Sequence, residues 1–230
     1  SGAAIHFGLL SGVNGETVGQ KTISINPRKL GAALGSIEFT KNFDGQLTED
    51  AEFTLYDSVA TSFEGNEANP NPAAISESGA IIWTEVPAGD GYYITETHVP
   101  EAYLPMSTNP VTGIKVVAGA TTAIGTIDNT LIKGTVELLK TFDESLPAGH
   151  SAGFTLYNSN GDIVFGSEKL LTENGTVTWN DVPYGNYYII ETTVPDGFGK
   201  MADITDIVIN NNGVTITLNA SNSLIEVSSE

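Results

Sequence analysis

The sequence predicts an all-β chain made of two tandem β-sandwich domains, and three observations predict it. Short alternating or continuously apolar runs are separated by clusters of Gly, Pro, Asn and Asp, and no long segment shows a helical period. Motifs of the first half recur in order in the second. Ser36-Ile37-Glu38-Phe39-Thr40-Lys41 is echoed by Thr135-Val136-Glu137-Leu138-Leu139-Lys140, Tyr92-Tyr93-Ile94-Thr95-Glu96 by Tyr187-Tyr188-Ile189-Ile190-Glu191, and Ile127-Asp128-Asn129-Thr130-Leu131-Ile132 by Ala220-Ser221-Asn222-Ser223-Leu224-Ile225. The 230 residues divide at this repeat into units of about 95 residues, each large enough for a sandwich core.

Along the chain, residues 1–34 fit neither repeat. Within them His6-Phe7-Gly8-Leu9-Leu10 and Thr22-Ile23-Ser24-Ile25 are either strands of a preceding domain or a loosely ordered extension. The first sandwich is expected over residues 35–133 and the second over 134–230. Strands are expected at residues 35–41, 51–56, 92–96 and 127–132 of the first, and at 134–140, 152–157, 187–191 and 220–225 of the second. Glu85-Val86-Pro87-Ala88-Gly89 and Asp181-Val182-Pro183-Tyr184-Gly185 are matched turns leading into the Glu-bearing strands, and Asn158-Ser159-Asn160-Gly161 and Asn174-Gly175 are further turn signals. The connection Thr130-Leu131-Ile132-Lys133-Gly134 has no Gly/Ser-rich or Pro-rich tract, so the last strand of one domain should lead almost directly into the next, as in a semi-rigid rod.

Strand side chains alternate between faces, so Ile37, Phe39 and Lys41 share a side, as do Val136, Leu138 and Lys140. The apolar members mark that side as core. The same parity groups Tyr92, Ile94 and Glu96, and also Ile127, Asn129 and Leu131. Each unit thus places an amine, a carboxyl and a carboxamide inside, where unpartnered polar groups are costly. An apolar setting disfavours charge on amine and carboxyl alike, so both can be neutral. A neutral amine is a nucleophile, and a protonated carboxyl can polarise a carboxamide and shuttle protons as ammonia leaves. The product would be a Lys–Asn isopeptide crosslink.

These motifs resemble the Cna-B-like domains, also called prealbumin-like or inverse-immunoglobulin domains, of Gram-positive sortase-assembled pilins and surface adhesins. The resemblance covers about residues 35–227 and includes Ala51-Glu52-Phe53-Thr54-Leu55-Tyr56 with Ala152-Gly153-Phe154-Thr155-Leu156-Tyr157, and Pro100-Glu101-Ala102-Tyr103 with Pro195-Asp196-Gly197-Phe198. It implies immunoglobulin-like, prealbumin-like sandwiches in which Lys41 and Lys140 are the amine donors, Asn129 and Asn222 the acceptors, and Glu96 and Glu191 the catalytic acids. It further implies a structural subunit or stalk region of a pilus or adhesin, extracellular and anchored to the cell wall. Its partners would be other pilin or adhesin subunits joined by sortase. Such self-crosslinking is a single turnover and does not make the chain an enzyme; no cofactor or metal is implied.

Ordinary roles compete with this reading, since a strand-end Lys often snorkels to solvent, a Glu is often a rim charge and Asn favours turns. Only eight lysines are present, yet two fill equivalent slots with matching partners, which favours crosslinking. Asn219 is a competing acceptor in the second domain, but it lies on the opposite strand parity. Ile23-Ser24-Ile25-Asn26-Pro27-Arg28-Lys29 faintly resembles the pilin motif whose Lys a sortase joins to the next subunit. Asn26 and Arg28 depart from that motif, leaving Lys29 as either an intermolecular linkage site or an ordinary linker residue.

Composition excludes several classes. A net charge of −19, with nine cations against 28 acids, argues against a nucleic-acid surface. No apolar run approaches a membrane span, so no membrane insertion is expected, and the chain reads as trimmed from a larger exported protein. Cysteine is absent, which leaves room for a different covalent staple or for none.

Gly149-His150-Ser151-Ala152-Gly153 matches the Gly-x-Ser-x-Gly elbow of hydrolases. That elbow needs a helix after it, and Phe154-Thr155-Leu156-Tyr157 reads as a strand, so a Ser151 hydrolase is the weaker reading. His6, His98 and His150 lack metal-ligand spacing, and Asn158, Asn160 and Asp162 lack the Gly and terminal Glu of a calcium hand. The long polar segment between Tyr56 and Ile81 reads first as a disordered insertion; read instead as a ligand loop, it supports an alternative, an adhesive module binding host matrix or glycan through loops of the first domain.

Overall fold

A computed structural model of the chain describes residues 4–6, 22–24, 32–44, 50–65, 70–166 and 168–225, and their regular structure is strand throughout. Strands β1 (Ala4–His6) and β2 (Thr22–Ser24) pair antiparallel, with Ile5 opposite Ile23. Of the strand expected over residues 6–10, His6 falls in β1 and residues 7–10 lie outside the described residues. Lys29 lies outside the described residues.

The first sandwich contains β3 (Leu34–Phe43), β4 (Glu52–Tyr56), β5 (Ala73–Ala74), β6 (Ala80–Pro87), β7 (Gly89–His98), β8 (Val111–Val116) and β9 (Thr121–Asn129). These form one sheet in the order β6-β3-β9 and another in the order β5-β4-β7-β8. The second contains β10 (Lys133–Phe142), β11 (Ala152–Asn158), β12 (Lys169–Leu171), β13 (Gly175–Pro183), β14 (Gly185–Thr193), β15 (Ile204–Ile209) and β16 (Thr215–Asn222), ordered β13-β10-β16 and β12-β11-β14-β15. In both, the first and last strands are neighbours in the three-stranded sheet. Strands β10 and β16 run parallel from Thr135 opposite Thr215 to Phe142 opposite Asn222.

The alternation seen in the sequence sets which faces are buried. Along β3 the pattern is strictly inward at Gly35, Ile37, Phe39, Lys41 and Phe43, and along β10 at Gly134, Val136, Leu138, Lys140 and Phe142. Trp83 on β6 and Trp179 on β13 fill equivalent core positions, fully buried. Phe39 meets Phe53 edge-on at 5.2 Å across the first sandwich, and Phe142 meets Phe198 edge-on at 5.7 Å in the second, the geometry that aromatic quadrupoles favour. Gly134 has no room for a side chain: a Cβ there would stand 2.8 Å from the Val214 carbonyl oxygen.

The two matched segments at 85–89 and 181–185 do lead into β7 and β14, but the turn in each narrows to Ala88 and Tyr184. Strands β6 and β13 continue through them as far as Pro87 and Pro183. Glu85 and Asp181 instead adopt left-handed φ values of 54° and 55°, where the pairing with β3 and β10 shifts register between Gly35 and Ile37 and between Gly134 and Val136. This is a bulge, and Asp, as at position 181, is among the residues that tolerate its left-handed position better than most.

Packing divides the chain into two compact units. Residues up to Val99 and Pro105–Asp128 make the first, and Pro100–Leu104 with the chain from Asn129 onward make the second. Backbone bonds from Leu104 N to Thr130 O and from Ile132 N to Ala102 O tie residues 100–104 into the second unit.

Candidate functional site

Six polar side chains stand where the sequence parity places them. Lys41 on β3, Glu96 on β7 and Asn129 at the end of β9 are each no more than 5% exposed, as are Lys140 on β10, Glu191 on β14 and Asn222 at the end of β16. Lys and Glu are among the residues least often fully buried, and only when partnered, so two such sets in one chain need a chemical account.

The second set is a continuous chain of contacts. Lys140 Nζ hydrogen-bonds Asn222 Oδ1, and Asn222 Nδ2 donates to Glu191 Oε1 at 2.7 Å. The other carboxyl oxygen, Oε2, accepts the backbone N–H of Met201 at 2.7 Å. The carboxamide is therefore held between amine and carboxyl, with its oxygen toward the Lys and its nitrogen on the Glu.

Most of the same frame is present in the first set. Glu96 Oε2 accepts the Met106 N–H at 2.8 Å, and Lys41 Nζ donates to the carbonyl oxygens of Ile127 at 3.0 Å and Asn42 at 3.3 Å. Ile127 lies two residues before Asn129 on the strand beside β3, so this bond brings the amine to the acceptor strand.

Burial lowers the pKa of Lys41 from 10.5 to about 8, against the opposing pull of Glu96 and then Asp128. Burial likewise lowers that of Lys140, opposed by Glu191 and then Asp143. Each amine also sits over an aromatic ring two residues on, Lys41 4.3 Å from the Phe43 centroid and Lys140 4.6 Å from that of Phe142. Burial therefore shifts both amines toward the neutral, nucleophilic form.

The two rings and the two Met amides are site components that sequence reasoning missed. Signals for both were present. Phe43 and Phe142 share the inward parity of their lysines, and the chain's only methionines fall ten residues after Glu96 and Glu191.

Other candidates separate from these sites. Asn219 is exposed on β16, facing away from the core, whereas Asn222 is buried. Ser151 follows a turn closed by His150 N to Pro147 O and directly precedes β11, and no helix occurs among the described residues. His98 pairs with Asp50 at 3.2 Å and His150 with Asp196 at 3.7 Å. Asn158 Oδ1 accepts the N–H groups of Asn160 and Asp162, a turn-closing role. In the long segment after Tyr56, Asn71 pins the chain by bonding both backbone groups of Leu55 and the carbonyl of Phe63.

Tandem sandwiches whose first and last strands are sheet neighbours, each enclosing a Lys, a Glu and an Asn, define a prealbumin-like repeat protein. The chain belongs to the SpaA prealbumin-like fold domain family, whose model matches residues 35–130 and 134–224. Among solved structures it is similar to the Bacillus anthracis TIE protein, with 24% identity and a TM-score of 0.63 over 84% of this chain and 34% of that one. The chain thus spans about a third of that protein. It is also similar to the C-terminal fragment of pilus adhesin SpaC from Lactobacillus rhamnosus GG, with 17% identity and a TM-score of 0.53 over 85% of this chain and 99% of that fragment. At these identities the likeness is one of fold. No curated protein matches the chain.

Proposed function

We propose that the chain is a load-bearing stalk segment of a Gram-positive surface pilus or adhesin, joined by sortase to other pilin or adhesin subunits, and that each sandwich locks itself with one Lys–Asn isopeptide bond. The observation that carries this reading is the buried contact chain from Lys140 through Asn222 to Glu191. The neutral Lys140 amine attacks Asn222 Cγ, an Nζ–Cγ bond forms, the Cγ–Nδ2 bond breaks, and Nδ2 leaves as ammonia with a proton that came from the amine. Glu191 touches the nitrogen that leaves, a contact that supports a role for its carboxyl in relaying that proton. Lys41, Glu96 and Asn129 repeat the roles. The event happens once per domain and regenerates nothing, so it is self-modification rather than turnover.

Topology gives the bond a mechanical meaning. Tension enters the second sandwich at the start of β10 and leaves at the end of β16. A bond from Lys140 to Asn222 carries it directly between these neighbouring strands and shields residues 141–221. Family membership supports the surface setting. Among the described residues no helix is long and apolar enough to cross a membrane.

Single-molecule pulling tests this reading. The parent chain is expected to show no extension from residues 141–221 at any force short of covalent rupture, and Lys140→Ala is expected to release that length. Equal extension of both would contradict it.

A further inference from the structure

The second unit contains the same strap twice, and the two copies differ in what covers them. At one end, Tyr103 N donates to Pro100 O, Leu104 N to Thr130 O and Ile132 N to Ala102 O, with Tyr103 bridged to Leu131. At the other, Phe198 N donates to Pro195 O, Gly199 N to Ser223 O and Ile225 N to Gly197 O, with Phe198 bridged to Leu224. Every bond has its counterpart, at distances between 2.8 and 3.1 Å. The strap therefore presents Leu131-Ile132 and Leu224-Ile225 on the same backbone frame.

The fates of the two isoleucines diverge. Ile132 is 7% exposed and belongs to the second unit's core, and its carbonyl accepts the N–H of Tyr184 in the turn between β13 and β14. Ile225 is 59% exposed and Leu224 47%. Two backbone bonds, from Gly199 N to Ser223 O and from Ile225 N to Gly197 O, hold this adjacent apolar pair in a set register and leave it open, and contiguous exposed apolar surface marks a site of interaction.

We propose that Leu224-Ile225 is a docking segment for a further sandwich of this same fold, which takes Ile225 into its core as the second unit takes Ile132. The receiving sandwich would supply a β-turn N–H to the Ile225 carbonyl, as Tyr184 does for Ile132. The first sandwich shows that this acceptance is a property of the fold: Ala88 N, in the matching turn, donates to Ala33 O at 2.7 Å. Among the differences between the two straps, one bears on the apolar contact: Leu104, packed against the core beside Ile132, has Gly199 as its counterpart, so Ile225 carries the contact without that neighbour. The inference rests on register and burial, and holds whether or not the domains crosslink.

The test is a chimera of the full chain in which Ile225 is joined directly to a second copy of residues 133–225, so that Ile225 stands where Ile132 does. Calorimetry is expected to show Ile225→Asp lowering the added sandwich's transition by about 5 °C or more, with Ile225→Val close to the parent. Ile132→Asp should do the same to the second unit, and Ile225→Asp in the unextended chain should change neither transition. An unchanged added transition in the Ile225→Asp chimera would overturn the proposal, as would indifference of the second unit to Ile132→Asp. Concentration-dependent self-association of the unextended chain, lost in Ile225→Asp, would also overturn it by assigning the segment to contact between copies.

Discussion

Asn222 Nδ2 donates to Glu191 Oε1 at 2.7 Å while its own oxygen meets the Lys140 amine, so one carboxamide is gripped at both ends inside an apolar core. Geometry of this kind is what proximity catalysis requires, with nucleophile, electrophile and proton relay fixed before any reaction begins. Three predictions rest on this relationship and its counterpart at Lys41, and a fourth rests on backbone packing alone.

Removing the carboxyl should stop the chemistry without unfolding the domain. Glu191→Ala is expected to lower crosslinking in the second domain by at least about a hundredfold, and Glu96→Ala in the first, on the scale of a lost acid–base group. Mass analysis of the refolded variants reads this directly; crosslinking at the parent rate would remove the carboxyls from the mechanism.

Loss of a crosslink should be large on the stability scale. The Lys41–Asn129 and Lys140–Asn222 loops each correspond to about 4 to 5 kcal/mol in the loop-closure account. Lys140→Ala also vacates a buried volume, so the fair comparison is Asn222→Ala, which leaves the amine in place. Either variant is expected to lower the second domain's melting temperature by roughly 20 °C, measured by calorimetry against an unaltered first domain.

The reaction in the first domain should speed up with pH. Burial holds Lys41 at about 8 against 10.5 in the unfolded chain, so the folded state binds the proton less tightly. The neutral amine is about a tenth of the population at pH 7 and dominant at pH 9, giving roughly a tenfold rise in rate that levels off above pH 8 to 9. The sign for stability agrees: before crosslinking, the cost of burying a charged amine is fully present below pH 8 and is relieved as pH rises toward 10.5. Refolding an unlinked chain across this range and timing the mass loss checks both.

Backbone crowding at the start of β10 yields a prediction independent of the chemistry. Gly134→Ala would set a methyl 2.8 Å from the Val214 carbonyl and 2.9 Å from Ile209, and is expected to cost about 1 to 3 kcal/mol. Chemical denaturation of the second domain measures it; no change would show that the strand end shifts freely.

Much of this was legible in the sequence because strand parity is a local rule. Lys41, Glu96 and Asn129 could be assigned to the core face from their apolar neighbours alone, and the repeat in register supplied Lys140, Glu191 and Asn222. Distance along the chain hid the rest. The Met106 and Met201 amides reach the carboxyls across turns whose path the pattern of apolar residues does not encode. The bulges at Glu85 and Asp181 read as turns because Pro and Gly follow closely, although the strand continues through them. The strap at Pro100–Leu104 was visible as a motif, but its allegiance to the second unit depends on backbone bonds to residues 130–132 that no periodicity announces.

The central claim is covalent, and the intact mass of the denatured chain tests it most directly. Each Lys–Asn bond expels one ammonia, about 17 Da. Two such losses are predicted, mapped by digestion to Lys41–Asn129 and Lys140–Asn222. A mass equal to that of the unmodified sequence, or losses mapped to Asn219, would contradict the account.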